Sequence, residues 1–247
     1  MATSPHQVSP IISEGAFRFA RPNASEKERL AILSAAALAF FEFGYNHTTV
    51  DEIADRLGAS KGQVYHYYRS KSDILFDIQQ CTTEWYWGAV APIASCGHPC
   101  DERIWLMARQ HALMTVTNVS FARVTLFATG VHNYRTEAQH RAHSAISVRR
   151  KEYENLFVSA ITEGVANGLF RDVDPSLATK ALLGVLNWVA YWYSPGNDTP
   201  EKQEAISIEF ANYVVSGLGD SVRVPFSLDH RCDVSGDSSP SDPLSHS

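Results

Sequence analysis

The chain has 247 residues, with 21 Lys and Arg against 27 Asp and Glu, a net charge of −6, and 45% hydrophobic residues. That apolar share is too high for a disordered chain, and the length suits one large domain or two small ones at roughly 100–200 residues each. The longest nearly apolar run, residues 31–41, is shorter than the ~18 residues of a membrane span; four Cys are too few for a disulfide framework, and the polar residues 4–7 do not resemble a secretory leader, so a cytoplasmic chain without a membrane partner is expected.

Residues 1–24, with Pro5, Pro10 and Pro22, read as a flexible arm, and residues 220–247, dense in Asp, Ser and Pro, as a disordered acidic tail. Between them the pattern is helical. Leu30, Leu33, Ala37, Phe40 and Phe41 recur at spacings of three and four, with Ser25 and Glu28 placed as a capping box and Gly44 as the stop. Thr49 with Glu52 caps a short second helix that ends at Gly58 and turns Ile53, Ala54 and Leu57 inward. Ser60 caps a third, running to about Tyr68, and Ser70 or Ser72 a long fourth that ends before Pro92. Further helices are predicted near 101–117, 120–133, 136–167, 175–193 and 201–217, with Gly168 and the Asp174-Pro175 pair as punctuation. No stretch alternates with a period of two, so the fold class is all-α.

The segment from Tyr45 to Lys71 carries the chemistry. Two short helices joined by Gly58-Ala59-Ser60 form a helix-turn-helix. Ile53, Ala54, Leu57, Val64 and Tyr68 are spaced to pack the pair together. That leaves Lys61, Gly62, Gln63, Tyr65, His66 and Tyr67 on the outer side of the second helix, and from Arg56 to Ser72 there are basic residues and no acidic one. Such a helix can enter a major groove. Lys61 can donate to guanine and Gln63 can pair with adenine, while Gly62 lets the backbone come near. Thr49, Tyr65, Tyr67 and Lys71 are placed to hold phosphates. A small helical hairpin with no DNA role satisfies the same packing pattern.

Thr48-Thr-Val-Asp-Glu-Ile-Ala-Asp-Arg-Leu-Gly, followed by Ser60-Lys-Gly-Gln-Val-Tyr-His-Tyr-Tyr-Arg-Ser-Lys71, resembles the DNA-binding domain of the TetR family of bacterial transcriptional regulators, over about residues 26–76. Tyr68 stands where Phe is frequent and Gln63 where Thr or Ala is. The resemblance implies a homodimeric repressor, a palindromic double-stranded DNA operator, a helix-turn-helix domain at 25–71 and a ligand-binding and dimerisation domain at 72–219. The Arg150–Phe157, Glu163-Gly164, Gly168–Pro175 and Leu186–Tyr193 stretches look similar to the KstR-type branch, which implies an acyl-CoA thioester from lipid or steroid breakdown as the effector.

Trp85, Trp87, Trp105, Phe121, Phe127, Tyr134, Trp188 and Trp192 suggest a roomy apolar interior. Candidate ligand-binding residues are His111, Asn118, Phe121, Arg123, Phe127, Asn187 and Trp188, although aromatic residues at helical spacing also build ordinary core. Trp188 and Trp192 on one helix, and Ile206, Phe210, Tyr213 and Val214 on the next, form stripes that fit either a dimeric four-helix bundle or intrachain core; the resemblance favours the dimer. Cys96, His98 and Cys100 are too few for a metal site, and Glu137, His140 and His143 form half of a di-iron pattern whose second half is missing. No catalytic residue, metal or cofactor is therefore assigned, and no enzyme activity is expected.

Overall fold

The computed structural model describes residues 24–127, 136–196 and 198–219. Among them the chain forms nine α-helices and no strand, as the periodicity predicts: α1 (Ala24–Phe43), α2 (Val50–Leu57), α3 (Lys61–Tyr67), α4 (Lys71–Ala94), α5 (Cys100–Thr117), α6 (Val119–Phe127), α7 (Glu137–Ala166), α8 (Pro175–Trp192) and α9 (Pro200–Ser216). The expected arm up to residue 23, the tail from residue 220, the end of the helix expected at 120–133, and Tyr134 lie outside the described residues. No described helix is long and apolar enough to cross a membrane.

Several start and stop signals act as predicted. Thr49 and Glu52 form the reciprocal capping box of α2, and Gly58 closes that helix at φ +68°, a left-handed conformation that suits glycine. Ser60 caps α3, Asp174 caps α8 with Pro175 just inside, and Ser70 rather than Ser72 caps α4. Two expectations need correction. Ser25 lies within α1 instead of capping it, and Glu28, freed from that box, reaches α3. Helix α4 also continues past Pro92 to Ala94, forgoing the one backbone bond that Pro92 cannot donate.

The helices enclose two main cores. In the first, the small residues Ala35, Ala36, Ala37 and Ala39 let α1 lie close to its neighbours, and Ile53, Ala54, Val64, Ile74, Leu75 and Ile78 fill the centre. Phe121 and Val124 of α6 belong to this core too. The second is built around Trp105, Met107, Phe157, Ile161, Leu186 and Val215, and takes in Val90 near the end of α4. Helix α4 is therefore shared, with its first half packed among the short helices and its second half in the larger bundle.

A clasp fixes the first half of α4. Asp77 accepts from Nε of Arg29 at 2.8 Å, from a second nitrogen of the same guanidinium, and from the Tyr68 hydroxyl at 2.5 Å. Arg29 also reaches Sγ of Cys81 at 3.0 Å. The bond to Asp77 raises the Arg29 pKa, and burial followed by the bond to Asp77 raises that of Tyr68.

At the far end of the bundle, a Cβ on Gly164 would lie 2.1 Å from the Phe170 ring, while the Gly164 carbonyl accepts from the N–H groups of Leu169 and Phe170. Gly164→Ala should therefore cost about 1–3 kcal/mol through overpacking. The expected readout is a lower urea midpoint, and an unchanged midpoint would show that Phe170 moves aside freely.

Candidate functional site

The first candidate surface is α3 with the start of α2. Val64 is fully buried and Tyr68 nearly so, which anchors the helix, while Lys61, Gly62, Tyr65 and His66 are exposed and Gln63 and Tyr67 partly so. Nothing in the free protein requires glycine at position 62, since an added Cβ would meet only Ser60 Oγ at 3.8 Å. Lys61 pairs with Asp51 at 2.7 Å and Arg56 with Glu42. The basic stretch is thus largely balanced by acids on α1 and α2, whereas the exposed Arg69 makes no ion pair among the described residues.

Four expected DNA contacts are engaged within the protein. Lys71 donates to the carbonyls of Tyr45 at 2.5 Å, Thr48 at 2.7 Å and Asn46 at 3.3 Å, which uses all three ammonium protons and locks the turn before α2. Burial lowers its pKa. The Tyr67 hydroxyl donates to Glu28 at 2.8 Å, and Gln63 Nε2 donates to the other oxygen of the same carboxylate. These bonds, Tyr67 first, hold the Glu28 pKa below its ordinary value. The Thr49 hydroxyl is occupied in its capping box, though the residue stays exposed.

The second candidate is a cavity of about 410 Å³ walled by α4, α5, α6, α7 and α8. Its inner wall carries a polar relay. The Tyr153 hydroxyl lies 2.8 Å from Nδ1 of His111, and Asn187 Oδ1 lies 3.2 Å from Nε2. With that orientation of Asn187, the ring proton sits on Nε2 and Tyr153 donates to Nδ1; the tautomer is assigned from the network. Thr115 donates to the His111 carbonyl, so Tyr86, 2.8 Å from the Thr115 oxygen, donates to it. Thr82 and Thr83 turn their hydroxyls to backbone carbonyls, whereas the buried Thr125 hydroxyl has no partner among the described residues.

At the rim, Lys180 pairs with Glu154 at 2.8 Å, and Lys151 binds the same carboxylate at 3.1 Å. Arg150 has only the Thr125 carbonyl, at 3.0 Å, and no carboxylate among the described residues. Its residue surface is exposed, yet its guanidinium end is desolvated enough to lower its pKa. A cation in that position can receive an anion.

Of the seven predicted ligand contacts, only His111 and Asn187 line this cavity. Asn118 caps α5 and bonds Met114 and Thr117. Phe121 packs against Trp85 in the first core. Arg123 donates to the carbonyls of Ala190, Tyr191 and Tyr193 at the end of α8 and lies 4.1 Å over the Phe41 ring. Phe127 and Trp188 are exposed, and both touch the Tyr191 ring. Sequence reasoning missed Glu28, Thr125, Arg150, Tyr153 and Lys180. The 3.6-residue period could have flagged Arg150, Tyr153 and Phe157 as neighbours on one side of α7.

Two family profiles match the chain: "Bacterial regulatory proteins, tetR family" over residues 32–78 and "Tetracyclin repressor-like, C-terminal domain" over residues 97–218. The chain is 27% identical over 206 residues to the HTH-type transcriptional repressor KstR2 of Mycolicibacterium smegmatis, covering 81% of this chain and 95% of the relative. It is similar in structure to the TetR family regulator PfmR from Thermus thermophilus at a TM-score of 0.65 and 28% identity, covering 75% and 97% of the two chains. It also shares its fold with AibR, solved in complex with isovaleryl coenzyme A and operator DNA, at a TM-score of 0.63 and 24% identity over 77% and 97% of the two chains.

His111 makes a testable contribution to acid sensitivity. Burial pushes its pKa from 6.5 down to about 4, so between those values the unfolded chain binds a proton that the folded chain refuses. Stability therefore falls as pH drops through that window. His111→Gln should flatten the fall, read as the urea midpoint from pH 7 to pH 4; parallel curves for the two proteins would contradict this.

Proposed function

The chain belongs to the TetR family of bacterial transcriptional regulators and is a DNA-binding repressor, not an enzyme; from that premise we propose that it acts as a cytoplasmic homodimer on a palindromic operator and leaves it when an acyl-CoA thioester occupies the cavity. The observation that carries this reading is the sharing of α4: its start is clasped to α1 and α3, while its Thr82, Thr83 and Tyr86 line the cavity. A ligand that separates the cavity walls must act on the same rod that orients the DNA reader.

On DNA, Lys61 would exchange Asp51 for a guanine edge or a phosphate, and Gly62 would bring the backbone close. Gln63 would read adenine, and His66 would lie beside it in the groove. Tyr65 and Arg69 are exposed and suited to phosphates, with Thr49 at the edge of the same surface. The bonds made by Tyr67 and Lys71 favour roles as struts.

The dimer reading rests on α8. Leu177, Val185, Trp188, Tyr191 and Trp192 are all exposed, and Tyr213 of α9 is 76% exposed. An apolar face of that kind in a soluble protein marks an interface, and two α8–α9 hairpins can close it as a four-helix bundle. The two α3 helices would then have to sit about one DNA turn apart, roughly 34–36 Å.

The effector reading rests on the cavity chemistry. The neutral His111–Tyr153–Asn187 relay and the threonines suit an uncharged acyl group, while Arg150 at the rim, with no carboxylate partner among the described residues, suits a phosphate. The AibR complex with isovaleryl coenzyme A supports the same ligand class. A ligand that prefers the released state by 10- to 100-fold shifts the equilibrium by about 1.4–2.7 kcal/mol, enough to change occupancy.

A gel shift with the DNA upstream of its own gene tests the reading. A retarded band that acyl-CoA thioesters dissolve, and coenzyme A alone does not, is expected; no band at low salt, or a band indifferent to every thioester, would overturn it. Arg150→Ala should weaken the thioester response about tenfold and leave DNA affinity unchanged, in line with loss of one charge-assisted bond. Trp188→Glu should give monomers in sedimentation and lose operator binding, whereas a dimer of normal operator affinity would exclude α8 from the interface.

A further inference from the structure

We infer that Glu28, which lies on α1 outside the helix-turn-helix, is a specificity-determining positioning residue: its carboxylate fixes which edge of Gln63 meets the DNA. The inference rests on the reading of Gln63 as a base contact. Gln63 Nε2 donates to one oxygen of Glu28, and the Tyr67 hydroxyl donates to the other at 2.8 Å. An ionised carboxylate can only accept hydrogen bonds. The Gln63 amide must therefore turn its NH2 group, and not its carbonyl, toward α1.

That removes the twofold ambiguity of an amide. With the Nε2 hydrogen trans to Oε1 directed at Glu28, the remaining hydrogen lies beside Oε1, and that hydrogen and Oε1 make a donor–acceptor edge. That edge matches N7 and the N6 amino group of adenine. A Gln63 without this restraint could rotate and offer the reverse pattern, or a single acceptor, to other bases. Tyr67 braces the other carboxylate oxygen, and the Ser60 cap bonds the Gln63 backbone N–H at 3.2 Å, so both ends of the residue are held.

The test is selection from a randomised half-site library by the full-length protein, comparing the parent with Gln63→Ala, Glu28→Gln, Glu28→Ala and the Gln63→Ala/Glu28→Ala pair. Glu28→Gln is the sharpest arm. It keeps size and shape but can donate as well as accept, so both orientations of Gln63 become possible. The parent should prefer adenine at one position of each half-site. Each single variant should cut that preference about tenfold, within the range a bidentate pair supplies. The double variant should lose no more than Gln63→Ala alone, because the two residues act as one unit.

A merely structural role for Glu28 would lower affinity for all sequences alike and keep the motif intact. A parent motif returned by both Glu28 variants, with Gln63→Ala relaxed, overturns the inference while leaving the Gln63 reading in place. A parent motif returned by Gln63→Ala removes the reading itself, and this inference with it. Should Glu28→Ala fail to fold, the isosteric Glu28→Gln decides the question alone.

Discussion

Three helices meet at the carboxylate of Asp77. Arg29 reaches it from α1 and Tyr68 from the end of α3, while Asp77 itself lies on α4. A half-buried ion pair of this kind adds little stability by itself, because desolvation offsets much of the attraction. Its effect is positional. Withdrawing either partner would leave a poorly hydrated charge, so the three helices keep a fixed relation while they move together. The reader is too small to hold its shape by burial alone, and the clasp joins it to a rod whose other end belongs to the larger core.

The walls of the cavity reach the reader by other routes as well. Gln139 at the start of α7 donates to Asp73 in the first turn of α4 at 3.0 Å, and Arg149 of α7 binds Glu84 at the same distance. Arg123 of α6 holds the last carbonyls of α8 and stacks on Phe41 of α1. Helices α4, α6, α7 and α8 all line the cavity, and the first three also touch the reader or the first turn of α4. On the proposed reading, a molecule entering between them would bias two packings of one connected set, which is the physical content of a population shift.

The fold was legible from the sequence wherever local chemistry decides it. Thr49, Ser60 and Asp174 cap through side-chain oxygens that bond a backbone N–H three residues on, and Gly58 through its own left-handed backbone, so each signal is local. Long-range partners were not legible. Ser25 and Glu28 have the spacing of a capping box, but α1 includes Ser25 and leaves Glu28 free to meet two residues of α3. Lys71 has the charge for a phosphate, but three carbonyls of the loop before α2 enclose it. The cavity was the least legible part. Asn118, Phe121, Arg123, Phe127 and Trp188 share the composition of pocket residues, and only the crossing of α7 over α4 and α8 decides that Arg150 and Tyr153 face the space instead.

Lys61 and Arg56 carry their own anions, Asp51 and Glu42, on the surface proposed to approach the duplex. If these two cations take phosphates, each must first give up a carboxylate, which lowers the net electrostatic gain from an arbitrary stretch of duplex. Only a site that also satisfies the groove-facing side chains compensates for the exchange. On the proposed reading, the molecule would let go quickly of the vast excess of wrong addresses on a chromosome and reserve long residence for the right one.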